Sequence, residues 1–214
     1  MSNYFIVLTN LEDGVIVIGG GQVAARKIEG LLAAGARVTV ISPQLAPLLQ
    51  ELAAQGRILV LPRAYQPGDL GHARLVIAAT DDKQVNQAVW QEAQERGCLI
   101  NVVDDPARCT FHAPAVVRRG KVTIAIGTGG SSPALAQHLR RELEAAIGPE
   151  YELLADILAE FRLRVQASLP AEKREAFWRE LIDALLPLLR KGKLVEARQE
   201  AETVLQTFGY GFHG

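Results

Sequence analysis

Residues 15–27 read Val-Ile-Val-Ile-Gly-Gly-Gly-Gln-Val-Ala-Ala-Arg-Lys, a β-branched apolar run that breaks on three glycines and resumes with helical spacing. A strand that turns this sharply into a helix constrains the fold more than any other feature of the chain. The Gly-x-Gly-x-x-Ala spacing gives each small residue a task. Gly19 allows the tight turn, Gly21 lets the backbone approach a pyrophosphate with no Cβ between, and Ala24 lets the helix lie close on the strand. A helix from Val23 to Ala34, with Gln22 and Val23 at its start, would aim free N–H groups and its positive dipole end at that ligand. Gly35 then stands as a C′ residue, and Arg37–Ile41 supplies the second strand of a βαβ unit of about 30 residues.

The alternation continues. A helix is expected over Leu45–Gln55, strands over Ile58–Leu61 and Leu75–Ala79, a helix over Lys83–Arg96 ended by Gly97, and a strand over Leu99–Val103. That order implies an α/β fold, a parallel Rossmann sheet with helices on both faces and right-handed crossovers, spanning residues 1–113. The pattern breaks at Asp104-Asp105-Pro106. Ala115–Ile126 reads as two short strands joined by a basic turn, and Gly127–Pro133 leads into a helix, Ala134–Ala146, which Gly148-Pro149 stops. This strand–strand–helix element, residues 114–147, has few core residues of its own and is expected to serve dimerisation. From Tyr151 onward the chain is amphipathic and helical, punctuated by Pro170 and Gly192, giving a C-terminal helical domain over residues 148–214.

Composition narrows the partners. The 214 residues are 49% hydrophobic and 22% charged, ordinary for a globular protein, and a net charge of −1 offers no attraction for nucleic acid or an anionic membrane. The longest apolar runs are strand-sized, so no membrane span is expected. No basic stretch leads into an apolar run and a small-residue cleavage site, so a cytoplasmic location is expected, with Cys98 and Cys109 reduced. His72, His112, His138 and His213 show no metal-ligand spacing, and no resident metal site is expected.

Ligands of open α/β sheets bind at the carboxyl ends of the strands, which directs attention to four segments. Ser42-Pro43-Gln44 ends the second strand with neither a carboxylate for a ribose nor an arginine for a 2′-phosphate, leaving NAD and NADP both open. Thr80 and Asp81 follow the next core strand and suit the nicotinamide or its ribose, with helix N-capping the competing role for Asp81 and Asp82. Asp104 closes the last strand, where a carboxylate can exchange a proton with a substrate; turn chemistry is the alternative, and Asp105, before proline, reads as a turn residue. Thr128, Gly129, Gly130, Ser131 and Ser132 precede Pro133 and form a second helix start, able to hold an anion or simply to cap the helix. His112 and His138 read as structural.

Read together, these motifs resemble one family. Val17–Ala24 with Arg26-Lys27, Gly35–Val40, Ala78–Asp82 with Val85-Asn86, Asn101–Pro106 and Thr128–Leu135 are similar, in order, to precorrin-2 dehydrogenase, the module that also forms the N-terminal part of siroheme synthases. The similarity runs from about residue 3 to residue 146, with the helical end matching in type. The resemblance implies NAD-dependent oxidation of precorrin-2 to sirohydrochlorin for siroheme or cobalamin synthesis by a homodimer, and in some members insertion of ferrous ion. It implies Asp104 as the catalytic carboxylate, and Thr128–Ser132 with Arg118, Arg119 or Lys121 as hosts for the carboxylates of the tetrapyrrole. Two departures stand out. Gly127 replaces the hydroxyl residue common before Thr128, and the chain has no room for a uroporphyrinogen methyltransferase domain, so methyl transfer is assigned to another protein. For a bifunctional dehydrogenase–ferrochelatase, with ferrous or cobaltous ion as substrate, only Asp104 and His112 offer themselves as ligands. The competing class, an NAD-sensing regulatory module, accounts for the Rossmann half but not for the second glycine turn.

Overall fold

The computed structural model describes residues 4–210; His213 lies outside them. The chain divides into two compact units, one of residues 4–113 and one beginning at Pro114.

The first unit is built on five parallel strands: β1 (Val15–Ile18), β2 (Val38–Ile41), β3 (Ile58–Leu61), β4 (Leu75–Ala78) and β5 (Leu99–Val102). They lie in the order β3-β2-β1-β4-β5, with Val15 opposite Val38 on one side and Leu75 on the other. The strands are apolar on both sides because both faces are covered. Val15, Val17, Val38, Val40, Leu75 and Ile77 join Ile28 of α1 (Gln22–Leu32) and Leu49 and Leu52 of α2 (Pro47–Ala54) in one core. Ile18, Ile41, Val76, Ala78, Ile100 and Val102 face the other way, against Val89 and Ala93 of α3 (Lys83–Arg96) and Leu70 of the β3–β4 connection. This is the expected doubly covered Rossmann sheet.

Boundaries follow local chemistry. Helix α1 begins at Gln22, one residue before the sequence pattern suggested, because Gly21 already has extended N-cap geometry (φ −81°, ψ −175°). Helix α3 is capped by Asp82, whose carboxylate accepts from the N–H groups of Gln84 (2.8 Å) and Val85 (3.2 Å), and it ends on Gly97 in the left-handed region (φ 68°). Strand β5 stops at Val102, one residue short of expectation, because the chain turns through Val103 and Asp104 into a single 3₁₀ turn, Pro106–Arg108. Cys98 and Cys109 are free thiols.

One polar residue is buried where the helix pattern reads as solvated. Glu92 of α3 is 8% exposed and accepts from Tyr65 Oη, Gly68 N–H (2.9 Å), Leu70 N–H (3.3 Å) and Arg96 Nε (2.7 Å). Burial pushes its carboxyl up, but the Tyr65, Gly68 and Arg96 donors outweigh it and hold the group below the ordinary range. The tyrosine is driven the opposite way, by burial first and then by its carboxylate partner.

The second unit opens with an antiparallel hairpin, β6 (Ala115–Arg119) and β7 (Val122–Ile126), turning at Gly120 in the left-handed region (φ 53°). Helix α4 (Pro133–Ala146) packs on it, and Arg119 reaches the carbonyls of Glu144 (2.7 Å) and Ile147 (2.8 Å), closing the helix's C-terminal end. Three longer helices follow: α5 (Glu150–Ser168), α6 (Ala171–Arg190) and α7 (Leu194–Tyr210). Their core is one stripe from each: Leu154, Ile157, Phe161 and Val165; Phe177, Leu181, Leu185 and Leu189; Ala197, Ala201, Val204 and Leu205. Phe177 meets Trp178 and Phe208 edge-on, with centroids 5.0 and 5.5 Å away. Across the surface of α5 and α7, Arg164 forks onto Glu202 (2.6 and 2.7 Å) and Arg198 onto Glu160 (2.6 and 3.0 Å). Among the described residues no helix is long and apolar enough to cross a membrane, and no group of three or more His, Cys, Asp or Glu could hold a metal ion.

Candidate functional site

The carboxyl ends of β1, β2, β4 and β5 gather the glycine turn, the Ser42–Gln44 loop, Thr80-Asp81 and Asp104 on one edge of the first unit. The three glycines there do different work. Gly19 has φ +115°, and a Cβ on it would lie 2.2 Å from the carbonyl oxygen of Ala79. Gly20 is buried beneath the β2–α2 loop: its Cβ would stand 2.1 Å from the Gln44 carbonyl oxygen and 2.8 Å from Ser42 Oγ. At Gly21 a Cβ would meet nothing within 4 Å, so its face is open.

That open face fits a dinucleotide. No side chain caps α1, since its N-cap is Gly21, and the first-turn N–H groups of Gln22 and Val23 remain for an outside acceptor. Ala24 is fully buried beneath them. These residues would hold the pyrophosphate by backbone N–H donation.

The neighbouring loop is preformed. Ser42 is 6% exposed, and its hydroxyl donates to the Gln44 carbonyl (2.7 Å). Ala46 N–H donates to the Gly20 carbonyl (2.7 Å), so the two turns are tied together. Ser42, Pro43 and Gln44, with Leu45, Gln50 and Pro62, line a cavity of about 500 Å³. Beyond β3, Arg63 forks onto Asp69 (2.7 Å on each oxygen), and this pair, which also gathers the Gln66 N–H, holds the Asp69 carboxyl below its usual range.

After β4 the two aspartates divide their roles. Asp82 caps α3, while Asp81 is exposed and caps nothing. Thr80 is half-buried, and its hydroxyl donates inward, toward Asn86 Oδ1 (2.9 Å) or the Asp82 carbonyl (3.0 Å). Asp104 is exposed, and its carboxylate has no partner among the described residues. Among the described residues it is one of two non-glycine residues with positive φ (60°), a conformation aspartate tolerates better than most. Asp105, by contrast, pairs with Arg108 and belongs to the turn. Cys109 sits just behind, accepting from Val102 N–H (3.3 Å), and burial pushes its thiol up.

In the second unit, the Thr128–Ser132 turn uses most of its side chains on itself. Thr128 Oγ accepts from Ser132 N–H (3.2 Å) and donates to the Ser132 carbonyl (3.1 Å), and Ser132 Oγ caps α4 by accepting from Leu135 N–H (3.1 Å). The exposed Ser131 hydroxyl and the N–H groups of Gly129 and Gly130, both glycines with positive φ, are left outward. His112 and His138 are both exposed, and His138 faces Glu142 on its own helix (3.3 Å).

The sequence places Gly20 and Asn86 within the recurring motifs but assigns neither a task of its own. Gly20 was hidden because its need for a bare Cα comes from a loop two dozen residues away. Asn86 lies in a polar helix start, and only its spacing from Thr80 hinted at a shared role.

A Rossmann sheet with an open, uncapped glycine turn defines a dinucleotide-binding protein. Comparison with known proteins sharpens the class. Residues 6–115 match a family of NAD(P)-binding domains, residues 119–146 the sirohaem biosynthesis protein central family, and residues 150–205 the sirohaem synthase dimerisation region. The siroheme synthase of Methylobacillus flagellatus is 42% identical over 201 residues, covering 93% of this chain and 43% of that protein. That of Thioalkalivibrio sulfidiphilus is 41% identical over 208 residues, covering 96% and 42%. A solved structure of SirC, a precorrin-2 dehydrogenase, superposes with TM-score 0.75 at 27% identity, covering 94% of this chain and all of that one. The chain belongs to the NAD(P)-binding family over residues 6–115, and the segments that follow match, in order, the sirohaem biosynthesis central family and the sirohaem synthase dimerisation region. It spans less than half the length of the curated relatives it matches.

Proposed function

We propose that this chain is an NAD-dependent precorrin-2 dehydrogenase that forms sirohydrochlorin in siroheme or cobalamin synthesis. The observation that carries the reading is Asp104: an exposed carboxylate without a partner, held in a left-handed conformation on the sheet edge that bears the open glycine turn. Oxidation removes a hydride and a proton from the reduced macrocycle. A carboxylate oxygen of Asp104 takes the proton, and the hydride acceptor would be supplied by the dinucleotide when bound. Gly19, Gly21, Gln22 and Val23 hold the pyrophosphate, Ser42, Pro43 and Gln44 the adenosine side, and Thr80 and Asp81 the nicotinamide side. NAD is favoured over NADP because the Ser42–Gln44 loop presents no cation, and the next arginine along the edge, Arg63, is already engaged by Asp69. Thr128, Gly129, Gly130, Ser131 and Ser132 receive substrate carboxylates, chiefly through the outward N–H groups and the Ser131 hydroxyl, with Arg118 and Lys121 (which pairs with Asp156 at 2.8 Å) as further cations of the same unit.

The match of residues 150–205 to a sirohaem synthase dimerisation region supports a homodimer, to which the 114–147 element and the helices of 148–214 contribute; its place of work in this reading is the cytoplasm. The test is anaerobic incubation of precorrin-2 with NAD⁺, following sirohydrochlorin absorbance. Asp104→Asn, which keeps the tolerance for positive φ, should lower kcat by about 10²-fold or more with NAD⁺ affinity unchanged. Absence of NAD⁺-dependent oxidation refutes the activity, and full activity of Asp104→Asn refutes the role of that carboxylate. A parallel incubation with ferrous or cobaltous ion, read against a no-enzyme control, measures whether metal insertion accompanies oxidation.

A further inference from the structure

The turn that follows β4 is tied by one side chain from the helix after it. Asn86 accepts at Oδ1 from Thr80 Oγ (2.9 Å) and from Thr80 N–H (3.4 Å), and its Nδ2 donates to the Thr80 carbonyl (2.8 Å). Every polar group of Thr80 thus meets a single carboxamide. Only a carboxamide can do this, since it offers a donor and an acceptor at fixed spacing without a charge.

The same turn bears directly on the glycine turn. Gly19 comes so close to Ala79 that a Cβ would overlap its carbonyl, at 2.2 Å from the oxygen and 2.7 Å from the carbon. Ala79 N–H donates to the Ile18 carbonyl (2.8 Å) just before. The β1 and β4 turns therefore share one closely packed backbone surface, and whatever fixes Ala79-Thr80 also fixes the wall of the dinucleotide turn.

Helix initiation does not explain Asn86. That task falls to Asp82, which takes the N–H groups of Gln84 and Val85. The backbone N–H of Asn86 already has the Asp82 carbonyl (3.0 Å), and its side chain points back out of the helix to Thr80. We infer that Asn86 is a positioning residue for the bound dinucleotide: by clamping Thr80 it fixes the β4 turn against Gly19 and presents that turn's backbone and Asp81 to the cofactor. The inference rests on the dinucleotide reading of the glycine turn.

The experiment measures NAD⁺ affinity by titration calorimetry, thermal midpoints, and KM and kcat for precorrin-2 oxidation in wild type, Asn86→Ala, Asn86→Asp, Thr80→Val and the Asn86→Ala/Thr80→Val double variant. Asn86→Ala should bind NAD⁺ about tenfold more weakly and raise the KM for NAD⁺ to match, while kcat and the KM for the tetrapyrrole stay within about twofold. Asn86→Asp, which keeps the acceptor and loses the donor, should fall between. The double variant should bind little worse than either single variant, because both remove the same clamp. A lowered thermal midpoint with unchanged NAD⁺ affinity makes Asn86 merely structural and overturns the inference. So do additive losses in the double variant. Should Asn86→Ala fail to fold, Thr80→Ser against Thr80→Val decides: serine keeps the hydroxyl and wild-type affinity, whereas equal affinities for the two overturn the clamp. A wild type that binds no dinucleotide ends both readings, while one that binds NAD⁺ but leaves precorrin-2 untouched ends the activity alone and leaves the affinities to judge Asn86.

Discussion

Adjacent glycines in the β1–α1 turn should separate folding from binding, and alanine at each position tests this. A Cβ at Gly20 would stand 2.1 Å from the Gln44 carbonyl oxygen. That oxygen cannot simply swing away, because it accepts from Ser42 Oγ (2.7 Å), and the loop is fastened again where Ala46 N–H reaches the Gly20 carbonyl (2.7 Å). Relief requires the loop to retreat by roughly 1 Å, and overpacking of this kind with one lost hydrogen bond costs about 3 kcal/mol. Gly21 is the opposite case. Its φ of −81° suits any residue, and nothing lies within 4 Å of its Cβ position. Alanine is a poorer N-cap than glycine but restricts the unfolded chain, and the two effects offset to within about 1 kcal/mol. The new methyl group would instead occupy the approach of the pyrophosphate. Urea denaturation followed by circular dichroism should show Gly20→Ala strongly destabilised and Gly21→Ala near wild type, while calorimetry should show Gly21→Ala binding NAD⁺ at least about tenfold more weakly. Wild-type stability of Gly20→Ala, or wild-type affinity of Gly21→Ala, refutes the reasoning.

Two further outcomes follow from buried groups. The Glu92 carboxyl lies below its ordinary value of 4.5 in the folded chain, so its stabilising effect is complete above that pH and fades as pH falls through the folded value. Glu92→Gln should therefore lose stability at pH 7 by about 2–4 kcal/mol, with the gap to wild type narrowing between pH 5 and pH 3; a gap independent of pH in urea midpoints contradicts this. Phe177→Ala empties a fully buried site between two aromatic rings and should cost the helical unit about 3–5 kcal/mol, read as the urea midpoint of the helical signal.

Much of this was legible in the residues. The five strands and the helices between them are announced by short, mostly apolar β-branched runs, by helical spacing, and by Gly97 and Asp82 at the helix ends. The edge on which Gly19, Gly21, Ser42, Thr80 and Asp104 gather follows from strand order alone. What escaped was decided by approach between distant segments. Gly20 is indispensable only because Gln44 crosses over it, and the left-handed turn at Asp104 shortens β5 although Val103 reads as strand. Glu92 sits among glutamines and glutamates that suggest a wet helix face. The cue was its place beside Val89 and Ala93 on the side that packs against the sheet. Thr128 and Ser132 were read as ligand groups or caps, and the hydrogen bonds show the hydroxyls used for capping, with the outward donors coming from backbone.

The crossed ion pairs between α5 and α7 have a consequence that their energies hide. Exposed pairs of this kind add little to stability. Their sequence order, Glu160 then Arg164 on α5 facing Arg198 then Glu202 on α7, nevertheless works as a lock with only one fitting position. Sliding α7 one turn in one direction sets Glu160 against Glu202, and one turn in the other sets Arg164 against Arg198. Either slide would also pull Phe208 off Phe177, so the charge order opposes the same misalignments that the packed apolar stripes beneath oppose. The surface of this small bundle thus repeats, in the order of its charges, the alignment that its interior sets.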